Sequence, residues 1–312
     1  MLHNFVVVGA GSAGVAVAAR LSEDADCSVL LLEAGADYVS RAEMPPDLLD
    51  SRNIAGMQHD WNYAATPVTG RTMPYRRGKV TGGTSAINAA AAQWGRPADF
   101  AAWVKHGNPE WGWEQVLPFF RKIESDANGQ ADAHGMDGPI TISRYSDSEL
   151  IPIQRAFYDA CRHEGFADVR DHNSLDPNAP PRIELNYASD PEDMRRLMLA
   201  TRLAWSLAHR EALNRETQGV IGLTEEIIRS DKRLRSYILE NIGTYCHALG
   251  TARMGPEGDA GAVTNQYCRV RGVENLRVVD ASVMPSIPSA VSNLTVIMLA
   301  ERVAAWLRER PV

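Results

Sequence analysis

The stretch Phe5-Val-Val-Val-Gly9-Ala10-Gly11-Ser12-Ala13-Gly14, followed 19 residues after its last glycine by Glu33 at the end of Leu30-Leu-Leu-Glu33, decides the fold. Phe5–Val8 reads as a buried strand, the glycines as a turn, the small residues after Gly11 as a helix, and Val29–Leu32 as a second strand ending in an acid. Each part has a physical task. Gly9 permits the tight turn, Gly11 lets backbone approach a pyrophosphate, and Gly14 lets the helix pack close to the strands. The helix that starts at Ser12 and Ala13 points its positive end at the phosphates. Glu33, with Ala34 beside it, stands where an acid accepts hydrogen bonds from an adenosine ribose, at the expected spacing of about 20 residues. An acid there disfavours a 2′-phosphate, so the expected ligand is FAD or NAD, not NADP.

Composition bounds the rest. A chain of 312 residues has room for one large domain or two ordinary ones. With 45% apolar and 23% charged residues it has the balance of a soluble globular enzyme. Lys+Arg of 32 against Asp+Glu of 39 leaves −7, and the short pairs Arg76-Arg77 and Arg195-Arg196 do not make a nucleic-acid footprint. Cys27, Cys161, Cys246 and Cys268 form no C-x-x-C pair, and Cys27 and Cys161 read as core fillers, which predicts a reduced, cytoplasmic setting. The N-terminal apolar run is short, broken by glycine and without a basic flank, so it reads as a strand and not a signal peptide. No run approaches the roughly 20 apolar residues of a membrane span.

Further along, Asp37 to Asp60 lacks periodicity and Trp61–Tyr63 reads as a short strand. Tyr75-Arg-Arg-Gly-Lys-Val-Thr-Gly82-Gly83-Thr84-Ser85-Ala-Ile-Asn88 is a second glycine cluster, and the small run Ala89–Ala92 after it suits a tightly packed helix. Pro97–Trp103 reads as a helix, as does the segment carrying Trp113, Val116, Phe120 and Ile123. Gly138–Ser143 reads as a strand, and Ser148 as the cap of a helix with Ile153, Phe157, Ala160 and Cys161 inside. A turn-rich patch, Asp171 to Pro181, leads to a strand at Arg182–Tyr187. Two more helices follow, one with Met194, Leu197, Met198, Thr201, Trp205 and Ala208 on one face, the other with Leu234, Tyr237 and Ile238. The final block runs His247-Ala-Leu-Gly-Thr-Ala-Arg-Met-Gly255, a strand at Leu276–Val279, Asp280-Ala281-Ser-Val-Met-Pro285, and a helix from Asn293 with that residue as N-cap.

The two glycine clusters and the final block, in that order, resemble the glucose–methanol–choline (GMC) oxidoreductases, in particular their choline dehydrogenase-like members. The resemblance implies an α/β fold: a discontinuous Rossmann-like FAD-binding domain from residues 1–95 and 245–312, with a reduced α+β substrate domain over 96–244. It implies non-covalent FAD, because the residue before Asn88 is Ile87, where some relatives carry a flavin-linked histidine. It implies Gly82, Gly83, Thr84 and Asn88 along the pyrophosphate and isoalloxazine. It also implies Asp280 and Ala281 near the ribityl and pyrophosphate, and Asn293 and Thr295 at the flavin's pyrimidine edge. A helix N-terminus there would stabilise the negative charge of reduced flavin.

The activity implied is oxidation of a small-molecule alcohol to a carbonyl, with the hydride passing to flavin N5 and the hydroxyl proton to His247. A histidine suits this task, its ordinary pKa of about 6.5 lying near working pH. Relatives pair that histidine with an asparagine or histidine; the corresponding residue here is Val291, and Ser289 or Ser292 is the nearest replacement. Family members are also longer, carrying an insert between His172-Asn-Ser174 and Leu175-Asp-Pro-Asn that this chain lacks. Its loss should uncover strand edges and apolar faces, with self-association as one consequence. The alternatives are a shortened, inactive relative, or a lyase on the same scaffold in which flavin is structural. His59 and His172 lie in loops that could approach the site; no His/Cys/Asp/Glu spacing suggests a metal, and no G-x-S-x-G elbow suggests a hydrolase.

Overall fold

The computed structural model describes residues 2–49, 57–68, 71–129, 133–166, 173, 190–244 and 246–309. The opening motif folds as its glycines require. Strand β1 (Phe5–Val8) leads through the turn into helix α1 (Ser12–Leu21) and on to strand β2 (Val29–Leu32). The two strands pair in parallel, Phe5 with Val29 through Val8 with Leu32. This is the β-α-β unit of a dinucleotide-binding fold. The excursion after Glu33 holds a four-residue helix, α2 (Pro46–Leu49), and then β3 (Tyr63–Val68) and β4 (Arg71–Tyr75) pair with each other.

The chain continues with α3 (Pro97–Lys105), α4 (Trp113–Ile123), and β5 (Glu124–Asp126) in parallel with β6 (Ile140–Ile142). Helices α5 (Pro152–His163), α6 (Pro191–Ala208), α7 (Glu211–Asn214), α8 (Glu225–Arg229) and α9 (Asp231–Asn241) follow, and α10 (Ser292–Glu309) closes the chain. The expected strand at Arg182–Tyr187, most of the turn-rich patch before it, and His172 lie outside the described residues.

Packing divides the chain into two compact units, one of Met1–Ala64, Pro74–Ile142 and Cys246–Val312, the other of Ala65–Met73 and Ser143–Tyr245. The first gathers both chain ends. Helix α10 is apolar nearly all round, with Leu294, Met298, Leu299, Val303 and Leu307 buried, as expected of a helix inside a core. One cluster joins it to Ala13, Val17 and Leu21 of α1 and to the buried rings of Trp94, Phe100, Trp103, Trp111 and Phe120. Fully burying one such side chain contributes about 1.5–3 kcal/mol, so this cluster dominates the unit's stability. The same aromatic packing brings α3 and α4 into the first unit, so the packing boundary falls after Ile142, whereas the sequence reading set its domain boundary at 95/96.

Across the face of α10, Arg20 Nε meets both carboxylate oxygens of buried Glu301 at 2.7 and 2.8 Å, and Lys122 Nζ reaches the same group at 2.8 Å. In the second unit, Met194, Leu197, Leu223, Ile228, Leu234 and Ile238 form one cluster over α6, α8 and α9. Ala156, Ala160, Leu207 and Leu213 form another over α5, α6 and α7. Side chains of Asp190, Thr224 and Ser230 cap α6, α8 and α9.

Several local readings need correction. Ala89–Ala92 is not a helix: Asn88 Oδ1 accepts the amide of Ala90 at 2.7 Å, and Ala90 turns left-handed (φ +53°), which ends helical propagation. Leu276–Val279 is no ladder strand and makes one bridge, Arg269 to Arg277. Ser148 does not cap α5, which starts with Pro152 at its first turn, and Phe157 is exposed. Helix α10 starts at Ser292, so Asn293 lies inside the first turn instead of capping it. The cysteine wholly inside the core is Cys268, its thiol pushed up to about 12 by burial, while Cys27 and Cys161 are half-buried.

Candidate functional site

The two glycine clusters meet back to back. Gly9, at φ +95°, donates its amide to Leu32 O at 2.7 Å and turns the chain off β1. A Cβ on Gly14 would stand 1.9 Å from Gly9 O, so only glycine lets α1 approach the turn. Gly11 bridges to Gly82, whose amide donates to Ala10 O at 2.7 Å, and a Cβ on Gly83 would meet Gly11 Cα at 2.8 Å. Two left-handed glycines, Gly82 and Gly83, thus lie against the phosphate-type turn. Gly11 supplies no side-chain cap to α1, so the first amides of that helix stay available to an anion.

Glu33 closes one side. Its Oε2 accepts the amide of Ala10 at 2.8 Å and its Oε1 that of Gly35 at 2.8 Å. Each oxygen keeps a lone pair for a hydroxyl donor. Ala34 between them is exposed and Ala13 is buried in α1. On the second cluster, Thr84 Oγ1 accepts the Gly78 amide at 3.1 Å, and Asn88 Oδ1 accepts that of Ala90, so what this side chain can offer a ligand is its two N–H donors.

The other chain end arrives through α10. Ser12 Oγ donates to Asn293 Oδ1 at 2.7 Å, which puts the first residue of α1 against the first turn of α10. Thr295, one turn in, is wholly buried with a hydroxyl that has no hydrogen-bond partner. A buried orphan hydroxyl is costly unless something polar completes it. Val291 is buried and aliphatic, and Ser292 is half-buried. Ser289, the other candidate replacement, has its hydroxyl at 2.9 and 3.0 Å from the Asp99 carboxylate oxygens at the start of α3.

His247 is half-buried and follows Cys246, a left-handed residue whose carbonyl accepts Arg77 Nη1 at 2.6 Å. Arg77 precedes the second glycine cluster, and its amide donates to Asp60 Oδ1 at 2.9 Å. Beyond His247 the block runs along the Asp280 segment, Ala252 N to Ser282 O at 2.9 Å and Met254 N to Val283 O at 2.8 Å, with Gly250 N on Ala281 O at 3.3 Å. Asp280 itself is exposed and caps the short turn that follows, its Oδ1 accepting the amide and hydroxyl of Ser282 at 2.8 and 2.5 Å. Among the expected residues, then, Gly9–Gly14, Glu33, Gly82, Gly83, Ser12 and Asn293 are joined by direct contacts. His247 is tied to them through its neighbours.

One cluster had no signal in the sequence. Glu124, Asp126 and His134 are buried, and one nitrogen or oxygen of each lies within 4.8 Å of the others. His134 Nδ1 stands 2.7 Å from Glu124 Oε1, and Trp94 Nε1 donates to Glu124 Oε2 at 3.0 Å. Burial pushes the Glu124 carboxyl above the usual range. Both Glu124 oxygens are engaged by the protein, which marks the group as a polar pin beneath the aromatic cluster. Its spacing, two residues and then eight, matches no motif.

This arrangement is that of a dinucleotide-binding fold built from both ends of the chain. Family models described as GMC oxidoreductase match residues 3–181 and 169–300, and the chain belongs to that family. GMC oxidoreductases bind FAD. The chain is 33% identical over 251 residues to an oxygen-dependent choline dehydrogenase of Rhizobium etli, covering 78% of this chain and 43% of the relative. It is 39% identical over 179 residues to a pyridoxine 4-oxidase of Microbacterium luteolum, covering 55% and 34%. A crystal structure of a pyridoxine 4-oxidase, at 21% identity and a TM-score of 0.84 with 100% of each chain covered, shares the fold. The chain spans less than half the length of the curated relatives it matches.

Proposed function

We propose that this chain is an FAD-dependent oxidoreductase that converts a small-molecule alcohol to a carbonyl. The observation that carries the reading is the orphaned Thr295 hydroxyl at the head of α10, buried beside a helix start that touches α1 through Ser12 and Asn293. A flavin edge in that position would complete the hydroxyl. The uncapped start of α1 offers its first amides to a pyrophosphate, and Glu33 retains acceptor capacity for a ribose. With no histidine at Ile87, the cofactor is held non-covalently.

When bound, FAD supplies the acceptor for the hydride leaving the alcohol carbon. The chain's own part is to bind, orient and manage one proton. An imidazole nitrogen of His247 takes the hydroxyl proton as the carbonyl forms. Two helix N-termini, those of α1 and α10, favour negative charge in the space they face. Arg77, through the Cys246 carbonyl, holds the backbone from which His247 projects.

Val291 favours a second reading, a flavin-binding relative with little or no turnover. It offers no polar contact, and Ser289 is already committed to Asp99. Losing one donor to a developing oxyanion costs about 10²-fold or more. The visible spectrum of the purified chain with added FAD, followed by anaerobic addition of an alcohol, tests both. Bleaching supports the oxidoreductase; a stable yellow protein supports the second reading; a protein that never takes up FAD removes both. For the yellow, unreactive case, cleavage of a hydroxynitrile would identify a lyase.

A further inference from the structure

Opposite α1, a second device holds the glycine-cluster segment in place. His59 is 5% exposed and lies where the excursion after Glu33 returns to the core. Its Nε2 is 2.8 Å from the Tyr38 hydroxyl, with the two rings edge to face at 5.7 Å. Its Nδ1, buried and without a hydrogen-bond partner, faces Asp47 Oδ2 at 3.5 Å. The carboxylate favours the tautomer with the proton on Nδ1, which leaves Nε2 to accept the Tyr38 O–H.

These three residues come from three places: Tyr38 from the loop after Glu33, Asp47 from α2, and His59 from the turn before β3. All converge on one target. Tyr38 and Leu48 pack on Val80 and Ile87, at either side of Gly82–Thr84. His59 O accepts the amide of Lys79 at 2.7 Å, Ala36 O accepts that of Thr81 at 2.9 Å, and a Cβ on Gly35 would meet Lys79 C at 2.1 Å. The segment from Gly78 to Asn88 is therefore sandwiched. Gly11 and Ala10 hold one side, and residues 35–49 and 57–61, with the buried His59 imidazole among them, hold the other.

We infer that His59 is a positioning residue that clamps this excursion onto the Gly78–Asn88 segment and so sets how long the chain retains its flavin, an inference that rests on the flavin reading above. His59 touches none of the reacting atoms. It acts through Tyr38 and through the backbone of Lys79. Replacing it by leucine leaves the Tyr38 hydroxyl half-buried without its acceptor and removes the ring nitrogen that faces Asp47. Replacing it by glutamine keeps a polar group at the position of Nε2.

The test compares wild type with Tyr38→Phe, His59→Leu and His59→Gln in two measurements. The first is amide hydrogen exchange of the full chain without added FAD, read at Lys79 and Thr81, with amides within α10 as the control for global stability. Tyr38→Phe and His59→Leu should exchange about tenfold faster at Lys79 and Thr81 and no faster in α10, with His59→Gln near wild type, as expected for loss of one buried hydrogen bond. The second is the rate of FAD release, followed by the return of free-flavin fluorescence, with the same order among variants. Unchanged exchange in His59→Leu, or equal acceleration in His59→Gln and His59→Leu, overturns the clamp. A wild type that takes up no FAD overturns the flavin reading, and the exchange measurement still decides the clamp.

Discussion

Ser12 and Asn293, 281 residues apart, share one hydrogen bond of 2.7 Å between Ser12 Oγ and Asn293 Oδ1. That bond joins the starts of two helices, each with its positive end in the same region. Like ends repel, and a hydroxyl-to-carbonyl bond is a neutral way to hold them together until an anion arrives. Ser12→Ala should lower the denaturant midpoint by the equivalent of about 1 kcal/mol. The same variant should weaken FAD binding, and a double-mutant cycle with Asn293→Ala should show coupling. Additive effects of the two substitutions in a binding titration would show that the bond is incidental.

Val291 occupies the place at the head of α10 where a polar partner for His247 is expected. Val291→Asn should raise alcohol oxidation by about 10²-fold if one oxyanion contact is missing. It buries an amide, so it should also cost stability of about 1–3 kcal/mol. Anaerobic flavin reduction rates and a thermal melt of the same variant measure the two effects together. A variant that is folded, yellow and no faster would place the missing contact elsewhere.

The first β-α-β unit was legible because glycine leaves few options: Gly14 cannot carry a Cβ, and Gly9 requires a positive φ. Amphipathic spacing similarly placed α4, α6 and α9. What periodicity could not reveal was local competition. Asn88 looks like the entry to a helix of alanines, yet its own side chain bonds the Ala90 amide and breaks it. The site split the same way. Glycines and Glu33 have geometry that their identity dictates, whereas Arg77 and His59 act through carbonyls and hydroxyls far along the chain, which leave no mark in spacing.

Glu301 is 3% exposed and takes Arg20 and Lys122 onto one carboxylate. Arg20→Met should leave a buried charge with a single half-exposed partner, at a cost of about 2 kcal/mol. Glu301→Gln in the same background should recover part of that loss, because the uncompensated charge is gone. Paired urea melts of the single and double variants check the recovery.

Asp259 is held down to about 2 by its hydrogen bonds from Arg253 and from the Gly261 amide, against an ordinary 3.8. Its folded value lies below its unfolded one, so the pair's stabilisation is present above about pH 4 and is lost as pH falls toward 2. Asp259→Asn should therefore flatten the acid side of a stability profile between those values and leave the neutral-pH salt dependence small. A wild-type profile with no extra slope between pH 4 and pH 2 relative to the variant would rule the linkage out.

The parallel pair β1–β2 has two faces with opposite fates. Phe5, Val7 and Val29 turn toward α1 and the core, while the register puts Val6, Leu30, Val8 and Leu32 together on the other side. There Val8 is 82% exposed, Val6 56% and Leu32 45%. Among the described residues β1 pairs only with β2, so its second edge presents free N–H and C=O groups next to bare valines. The strand carries no charge and no proline to blunt it, the combination that natural edges avoid. The curated relatives are longer, the match covering 78% of this chain but 43% of the relative, so they have more chain with which to cover such a face. Left open, it should make this chain associate as concentration rises, and Val8→Lys should suppress that association without loss of helical signal, since the side chain already points to solvent. Sedimentation velocity over a hundredfold range of concentration decides: a wild type that sediments as a monomer throughout means the face is covered, and association that survives Val8→Lys and Leu32→Lys means the contact lies elsewhere.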